Sequence, residues 1–498
     1  MCGIVGAIAE RSVQAILIEG LKRLEYRGYD SAGMAVQDSE THEIQRQRSL
    51  GKVAELQKRL NGAALKGHIG VAHTRWATHG EPAEHNAHPH MCEDHIALVH
   101  NGIIENYEAI KERLEKRGVS FCSQTDTECI VHLIGEYKKQ GNSLFDSVLA
   151  AINELEGAYA LGVIDNQEGR IIAARSGSPL VIGLGIGENF IASDVSALLP
   201  VTQEFIYLEE GDIADITRDK VVIFDASGQE VERPVSKSAI TADAVERGEY
   251  RHYMLKEIYE QPKAVADTLE GRIDTENVFT NAFGYTASAT FKNIESVYII
   301  ACGTSYHAGL VAKYWFEGIV GIPCMIEVAS EFRYRKAVYN DKTLIVTISQ
   351  SGETADTLAA LREAKKQGAQ HSLVICNVPE SSLVRESELS FLTHAGPEIG
   401  VASTKAFTTQ LTALLLLVIC VGKEKGNTKL EKLAVESLRQ LPGQIEKALQ
   451  LDGKIEQLAE EFSDKHQALF LGRATQYPIA MEGALKLKEI SYIHAEAY

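Results

Sequence analysis

The second half of the chain alternates apolar, β-rich runs with amphipathic helical runs, and few folds accept that order. "SVYIIA" and "KTLIVTIS" each pass through a short polar turn into a helical stretch, "YHAGLVAKYWFEGI" and "ADTLAALREAKKQG", and "HSLVIC" follows. Strands that are apolar on both faces and separated by helices pair in parallel, because a helical crossover returns the chain to the same end of the sheet. Helices then cover both faces, which is a doubly wound α/β architecture. The pattern also recurs: "VYIIACGTSYHAGLVAKYWFEGI" (297–319) is similar to "ALFLGRATQYPIAMEGALKLKEI" (468–490), each reading strand, glycine, small hydroxyl residues, tyrosine and helix. The first copy runs on through "IEVASEF" to a "SQSGET" turn at Ser349, whereas the second runs through "YIHAEAY" only to Tyr498. The second α/β unit is therefore expected to be incomplete, and the sequence to be a piece of a longer protein.

The first half has a different rhythm, with many strands and interspersed helices. Strands are expected over 68–76, 95–102, 171–177 and 205–216, and a helix over 104–118, where basic residues and a glycine end the apolar period. These features divide the 498 residues into a mixed domain over 2–220, a polar linker with a helical connection over 221–286, a first α/β domain over 287–427, and the start of a second over 458–498. The longest apolar run, "LTALLLLVICVG" (411–422), is too short to span a bilayer and reads as a buried helix. A net charge of −18 argues against nucleic acid or an anionic membrane as the main partner. The eight cysteines show no CxxC pair, so no disulfide framework or zinc site is expected, and a reducing cytoplasm fits.

Several short stretches carry chemistry. The chain begins "MCGIVGAIAE", with no basic region ahead of the apolar run and Glu10 and Arg11 ending it, which excludes a signal peptide. Two readings stay open: a plain buried strand, or a nucleophile. With Met1 removed, Cys2 carries a thiol and a free α-amine, and an amine that titrates near pH 8 can take the thiol proton. In the second half, Ser349, Gln350, Ser351 and Thr354 sit where a strand gives way to a helix, beside Gly352. Unpaired N–H groups and the positive dipole end of that helix suit an anion, most simply a phosphate. "ACGTSYH" repeats the arrangement with Cys302, Gly303, Thr304 and Ser305, and "GVASTKAFTTQ" brings Ser403 before a further helix. Such turns on neighbouring strands share the crevice at the carboxyl edge of a sheet. Neither the Walker lysine spacing nor a GxGxxG order is present, so a phosphorylated small molecule is favoured over a nucleotide. In the first half, Arg75 offers a fork for a carboxylate and Asp126 an anion for an ammonium, which together could clamp an amino acid; an ordinary ion pair is the alternative. "HNG" offers the Asn101 amide and the Gly102 N–H to a developing oxyanion, or is merely a turn. His85, His88 and His90 lack acidic or cysteine partners at ligand spacing, so neither a metal nor another cofactor is expected.

"MCGIVG", "RLEYRGYDSAG", "HTRWATHG", "NAHPH", "VHNGIIEN" and "TDTE" together resemble the glutaminase domain of the N-terminal-nucleophile amidotransferases. "CGTSY", "SQSGETADT", "GVASTKAFTTQ" and "EGALKLKEISYIHAEAY" resemble two sugar isomerase (SIS) domains. The resemblance covers essentially the whole chain, and the ordered set is far more specific than any one motif. It implies an αββα sandwich followed by doubly wound α/β domains, with L-glutamine and fructose 6-phosphate as substrates and glucosamine 6-phosphate as product. It further implies Cys2 as nucleophile, Asn101 and Gly102 as the oxyanion hole, and Arg75 and Asp126 on the two ends of glutamine. Thr78, His79 and His88 would shape that pocket, and Trp76 would gate a path for ammonia. Thr304, Ser305, Ser349, Gln350, Ser351, Thr354 and Ser403 would hold the sugar phosphate, with Glu489 the base between C1 and C2 and Lys486 assisting. The family's ring-opening histidine and sugar-binding lysine would lie beyond Tyr498, so this chain is expected to hydrolyse glutamine without forming the amino sugar. The resemblance also implies a homodimer through the isomerase half. Amidotransferase relatives that use a phosphoribosyl pyrophosphate loop or an "SGG" ATP loop do not fit, since neither loop occurs. A sugar-phosphate sensor with a glutaminase-like head is the alternative from another class.

Overall fold

The computed structural model describes residues 2–25, 28–76, 80–238, 250–428 and 431–498, in two compact units, Met1–Glu246 and Arg247–Tyr498. The expected roles of Thr78 and His79 lie outside the described residues.

In the first unit the apolar run behind Cys2 forms the strand Gly3–Ala9, buried at every position. It pairs antiparallel with Gly67–Arg75 on one side and Glu188–Ala192 on the other, inside an eight-stranded sheet. A seven-stranded sheet carrying Ile96–Ile104 and Gly157–Asp165 faces it. Because side chains alternate along a strand, Ile4, Ile8 and Val71 of one sheet meet Val99, Ala160 and Ile164 of the other in a single apolar core. The opposite face of the second sheet, with Leu98, Leu161 and Val163, is covered by the helices Tyr107–Lys116, Thr127–Lys139 and Leu144–Ile152. The helix Gln14–Leu24, with Leu17, Leu21 and Leu24 fully buried, lies on the first sheet. The layers are thus helix, sheet, sheet, helix.

Two expectations are corrected here. The run 205–216 is two strands, Glu204–Tyr207 and Ile213–Ile216. Between them the Asp212 carboxylate accepts from the Glu209 N–H at 2.7 Å, and Gly211 takes a left-handed φ of 83°, so the chain turns back. Residues 221–237, assigned above to the linker, form the strands Val221–Phe224, Glu230–Val231 and Val235–Lys237 at the sheet margins of the first unit. Edge strands facing water lack the apolar period that betrays inner ones.

The second unit is built on a parallel sheet in the order Cys324–Val328, Ser296–Ala301, Thr343–Ser349, His371–Cys376, Leu389–Leu392. Its larger core contains Val297, Ile299, Val346, Ile375 and Phe391 from the sheet, together with Leu414, Leu417 and Val421 from the helix Lys405–Glu424. That helix is long and apolar enough to cross a membrane by composition, yet most of it is buried in this core. The other sheet face packs Tyr298, Ile300 and Ile345 on Phe332, Ala360 and Ala364. Further along, Gln467–Phe470 and His494–Ala497 pair in parallel on either side of the helix Gln476–Ser491.

Phe391 tests this core. It is fully buried, its ring centroid lies 4.7 Å from that of Phe283, and the Arg272 guanidinium stands 4.4 Å over its face. Phe391→Ala should lower the stability of the second unit by about 3–5 kcal/mol, read as a shifted urea midpoint of that unit's transition, while the first unit's transition stays in place.

Candidate active sites

Strand pairing places the thiol. Gly3 stands opposite Thr74, so Cys2 comes to lie beside the end of Gly67–Arg75. The Trp76 N–H donates to Cys2 Sγ at 3.2 Å, and Sγ lies 3.5 Å from the Trp76 carbonyl oxygen. Burial pushes the Cys2 thiol above its ordinary value, against the pull of the Trp76 amide and the Arg75 charge. The thiol therefore needs a base to ionise it at neutral pH. From the facing sheet, Asn101 brings its side-chain Nδ2 to 3.1 Å from the Cys2 carbonyl oxygen. Gly102 follows with φ 140°, and a Cβ there would sit 1.9 Å from the Ala158 carbonyl oxygen. Only glycine fits, so the "HNG" order has a steric reason.

Arg75 donates to the carbonyls of Glu81 at 3.3 Å and Gly80 at 3.4 Å, and it feels the charges of Cys2, Asp30 and Asp126. Asp126 heads the helix Thr127–Lys139, and its carboxylate accepts from the Ile104 N–H at 2.9 Å. Arg75 thus lies within electrostatic reach of both the thiol and Asp126. Trp76 is part-exposed and meets Tyr29 edge-on at 5.1 Å. His88 is set deeper than a pocket wall. It is buried, stacked on His73 at 4.1 Å, and its Nδ1 accepts from the His100 N–H at 3.3 Å. His73 and His100 are the residues that sequence reasoning passed over. Their signal is position alone: each lies one or two residues from a proposed site residue on a buried strand.

In the second unit the "SQSGET" turn closes on itself. Ser349 Oγ accepts from the Gly352 N–H at 3.0 Å and lies 2.9 Å from Thr354 Oγ1. Ser351 Oγ accepts from the Glu353 N–H at 3.2 Å, and Thr354 stands at the N-terminal boundary of the helix Ala355–Lys366 with no capping bond from its side chain. Gly352 has φ 67°, and a Cβ there would strike Ser381 Oγ at 1.9 Å. The Ser349–Thr354 bond uses one hydroxyl hydrogen, which leaves the other of that pair and the Ser351 hydrogen for a ligand oxygen beside a helix N-terminus. The Gln350 carbonyl accepts from the Asn377 N–H at 3.2 Å, and Asn377 Nδ2 donates to the Gly396 carbonyl at 2.7 Å. These bonds tie the turn to the segment leading to Ser403, whose hydroxyl donates to Glu398 at 2.8 Å.

Cys302 precedes the helix Gly303–Trp315, and Thr304 and Ser305 are buried in its first turn. The Thr304 hydroxyl is already engaged: it donates to Glu482 at 2.8 Å and accepts from Lys486 Nζ at 3.1 Å. Glu482, which the motifs did not single out, is also 2.8 Å from His307 Nδ1. Burial raises its carboxyl, but the His307 hydrogen bond, the Lys486 charge and Thr304 outweigh it and hold the group below the ordinary range. Lys486 Nζ also reaches Glu489 at 2.5 Å, so the ammonium stands between a buried carboxylate and an exposed one.

Comparison with known proteins matches both units to known domain families. Residues 73–200 match the glutamine amidotransferase domain family, and residues 290–420 match the SIS domain family. Glutamine–fructose-6-phosphate aminotransferase (isomerizing) from Pseudomonas syringae is 61% identical over 501 aligned residues, covering 100% of this chain and 82% of that protein. The enzyme of the same name from Escherichia coli is 60% identical with the same coverage. Among solved structures, the C-terminal domain of glucosamine-fructose-6-phosphate aminotransferase from Francisella tularensis matches 51% of this chain and 71% of its own, at 53% identity and a TM-score of 0.50. With a thiol-centred amidotransferase unit and a sugar isomerase unit in one chain, and with this identity along its whole length, the chain belongs to the glutamine–fructose-6-phosphate aminotransferase (isomerizing) family.

Proposed function

We propose that the residues gathered around Cys2 and around the Ser349–Thr354 turn divide the family's reaction between them. As a member of that family the chain is assigned its full reaction, glutamine and fructose 6-phosphate to glutamate and glucosamine 6-phosphate, in place of the hydrolysis alone expected from the sequence. The observation that carries this is the match of the entire chain, through both units and in order, at 61% identity.

The Cys2 sulfur adds to the side-chain amide carbonyl of glutamine, and the thiol proton passes to the α-amine of a Cys2 freed of Met1. The oxyanion is met by the Asn101 Nδ2–H and the Gly102 N–H. Collapse of the adduct expels ammonia with the proton returned by the amine, and water then splits the thioester to glutamate. Arg75 takes the glutamine carboxylate and Asp126 its ammonium, which leaves the side-chain amide as the end presented to sulfur. In the second unit, Ser349, Gln350, Ser351 and Thr354 take the phosphate at the head of the helix Ala355–Lys366. Ammonia adds to C2 of fructose 6-phosphate and water leaves. Glu489 removes a proton from C1 of the imine and C2 receives one, giving the aldose, with the Lys486 ammonium beside the carboxylate. Ser305 and Ser403 complete the sugar cradle, while Thr304 acts by fixing Glu482 and Lys486. A homodimer through the isomerase unit and a cytoplasmic setting belong to this reading, supported by the family and by eight cysteines without a CxxC pair.

Three measurements test it. Cys2→Ala should abolish glutamine hydrolysis and leave fructose 6-phosphate binding intact; retained hydrolysis would remove the nucleophile. In the unaltered protein, kcat/KM for glutamine should fall as pH drops below about 8, where the α-amine takes up the proton that it must be free to accept. Ser351→Ala with Thr354→Ala should weaken fructose 6-phosphate binding, since each hydrogen bond to a charged group contributes about 1.5–3 kcal/mol. Calorimetry should show that loss with glutamine hydrolysis spared, and unchanged binding would leave both residues a role only within their own turn.

A further inference from the structure

We infer that His73 is a positioning residue for glutamine hydrolysis: its Nε2–H holds the Asn101 amide in the one orientation that turns Nδ2–H toward Cys2. The inference rests on the reading of Asn101 as an oxyanion donor. An asparagine amide is nearly symmetric in shape, and a half-turn exchanges its donor for its acceptor. Fixed neighbours must therefore choose between the two. The Cys2 carbonyl oxygen, 3.1 Å away, can only accept, so the atom facing it is Nδ2. Oδ1 then points the other way, 3.0 Å from His73 Nε2. The same Nε2 lies 3.1 Å from the His100 carbonyl oxygen, which also can only accept. Two acceptors on one ring nitrogen require that nitrogen to carry the hydrogen. The backbone carbonyls of Cys2 and His100 thus settle both the amide orientation and the imidazole tautomer.

The ring is built to stay that way. His73 is 1% exposed, and its Nδ1 is buried with no hydrogen-bond partner, as the neutral Nε2–H tautomer allows. Burial drives its pKa down to about 3, so it holds one protonation state across the working range. Its plane is fixed by stacking on His88, centroids 4.1 Å apart and 15° from parallel. His88 is anchored in turn by the His100 N–H at 3.3 Å and Thr127 Oγ1 at 3.4 Å. His73 never touches glutamine in this arrangement. Without its N–H, the amide is free to turn Oδ1 toward the developing oxyanion, where it repels charge instead of stabilising it.

The test uses the full chain and two substitutions of different reach. In His73→Gln the amide nitrogen falls near the place of Nε2; in His73→Asn it falls near that of Nδ1. Removing an oxyanion donor outright costs about 10²–10³ in kcat, so His73→Asn should lose about 10- to 100-fold in kcat for glutamine hydrolysis, with KM for glutamine nearly unchanged. His73→Gln should recover most of that loss. Glutamate γ-semialdehyde provides a second readout: the Cys2 thiol adds across its aldehyde, the S–C bond forms, and the carbonyl oxygen takes the charge and then the proton. Its inhibition constant should rise in step with the fall in kcat. Alkylation of Cys2 by iodoacetamide expels iodide and builds no oxyanion, so its rate should not move. In an Asn101→Ala background, His73→Asn should add no further loss, as residues acting through one another are non-additive. If Asn101→Ala itself leaves kcat unchanged, the oxyanion reading fails. If Asn101→Ala is crippled while His73→Asn is not, the His73 inference alone fails. A His73→Asn loss that adds to Asn101→Ala, that slows alkylation, or that His73→Gln does not restore would make His73 a packing residue and overturn the inference.

Discussion

A thiol at a chain terminus can do reproducible chemistry only if the terminus is held still, and here the hold is the strand Gly3–Ala9. Hydrogen bonded on both sides and buried along its length, it cannot slide without moving every side chain to the wrong face of the sandwich. Register alone then delivers Cys2 to the Trp76 amide. The same register sets the path of Gly67–Arg75, which supplies His73 and Arg75, two residues apart and so on one face of the strand. The facing sheet contributes Asn101 and Gly102 by the same rule. The first site is therefore a property of two stacked sheets rather than of a flexible loop.

In the second unit the proposed anion site rests on hydroxyls and a helix N-terminus. A parallel sheet brings strand ends and helix starts to one edge, so that Ser349–Thr354 and Cys302–Ser305 open at the same side. The acidic and basic groups nearby are bound to one another first. Glu482 is satisfied by Thr304, His307 and Lys486, which makes a buried carboxylate tolerable and orients the ammonium toward Glu489. Hydroxyl motifs that look alike in sequence thus serve unlike tasks: the 349–354 hydroxyls bond within their own turn, whereas Thr304 is committed to a neighbouring helix.

Much of this was legible before any coordinates. The parallel order of Ser296–Ala301, Thr343–Ser349 and His371–Cys376 follows from apolar runs divided by amphipathic helices, and the helix Lys405–Glu424 from an apolar stretch too rich to face water. The layered first unit was less legible. Its inner strands announce themselves by burial, but Val221–Phe224 and Val235–Lys237 lie near water and carry no apolar period, so they read as linker. The turn at Asp212 was equally hidden, because one left-handed glycine within a polar run has the same spelling as a continued strand.

By itself, the sequence determined which chemistries were available: a thiol next to a removable methionine, an asparagine followed by a glycine, and hydroxyls placed where strands give way to helices. These are local facts, and residue type and spacing carry them. Tertiary structure alone decided which of those groups meet and in what state. That Cys2 lies under Trp76, that Glu482 claims Thr304, and that His73 chooses the orientation of Asn101 all depend on contacts between segments far apart in the chain. Hydrogen bonds of that kind are set by strand register and burial, which depend on the whole sheet, and no window of sequence contains them.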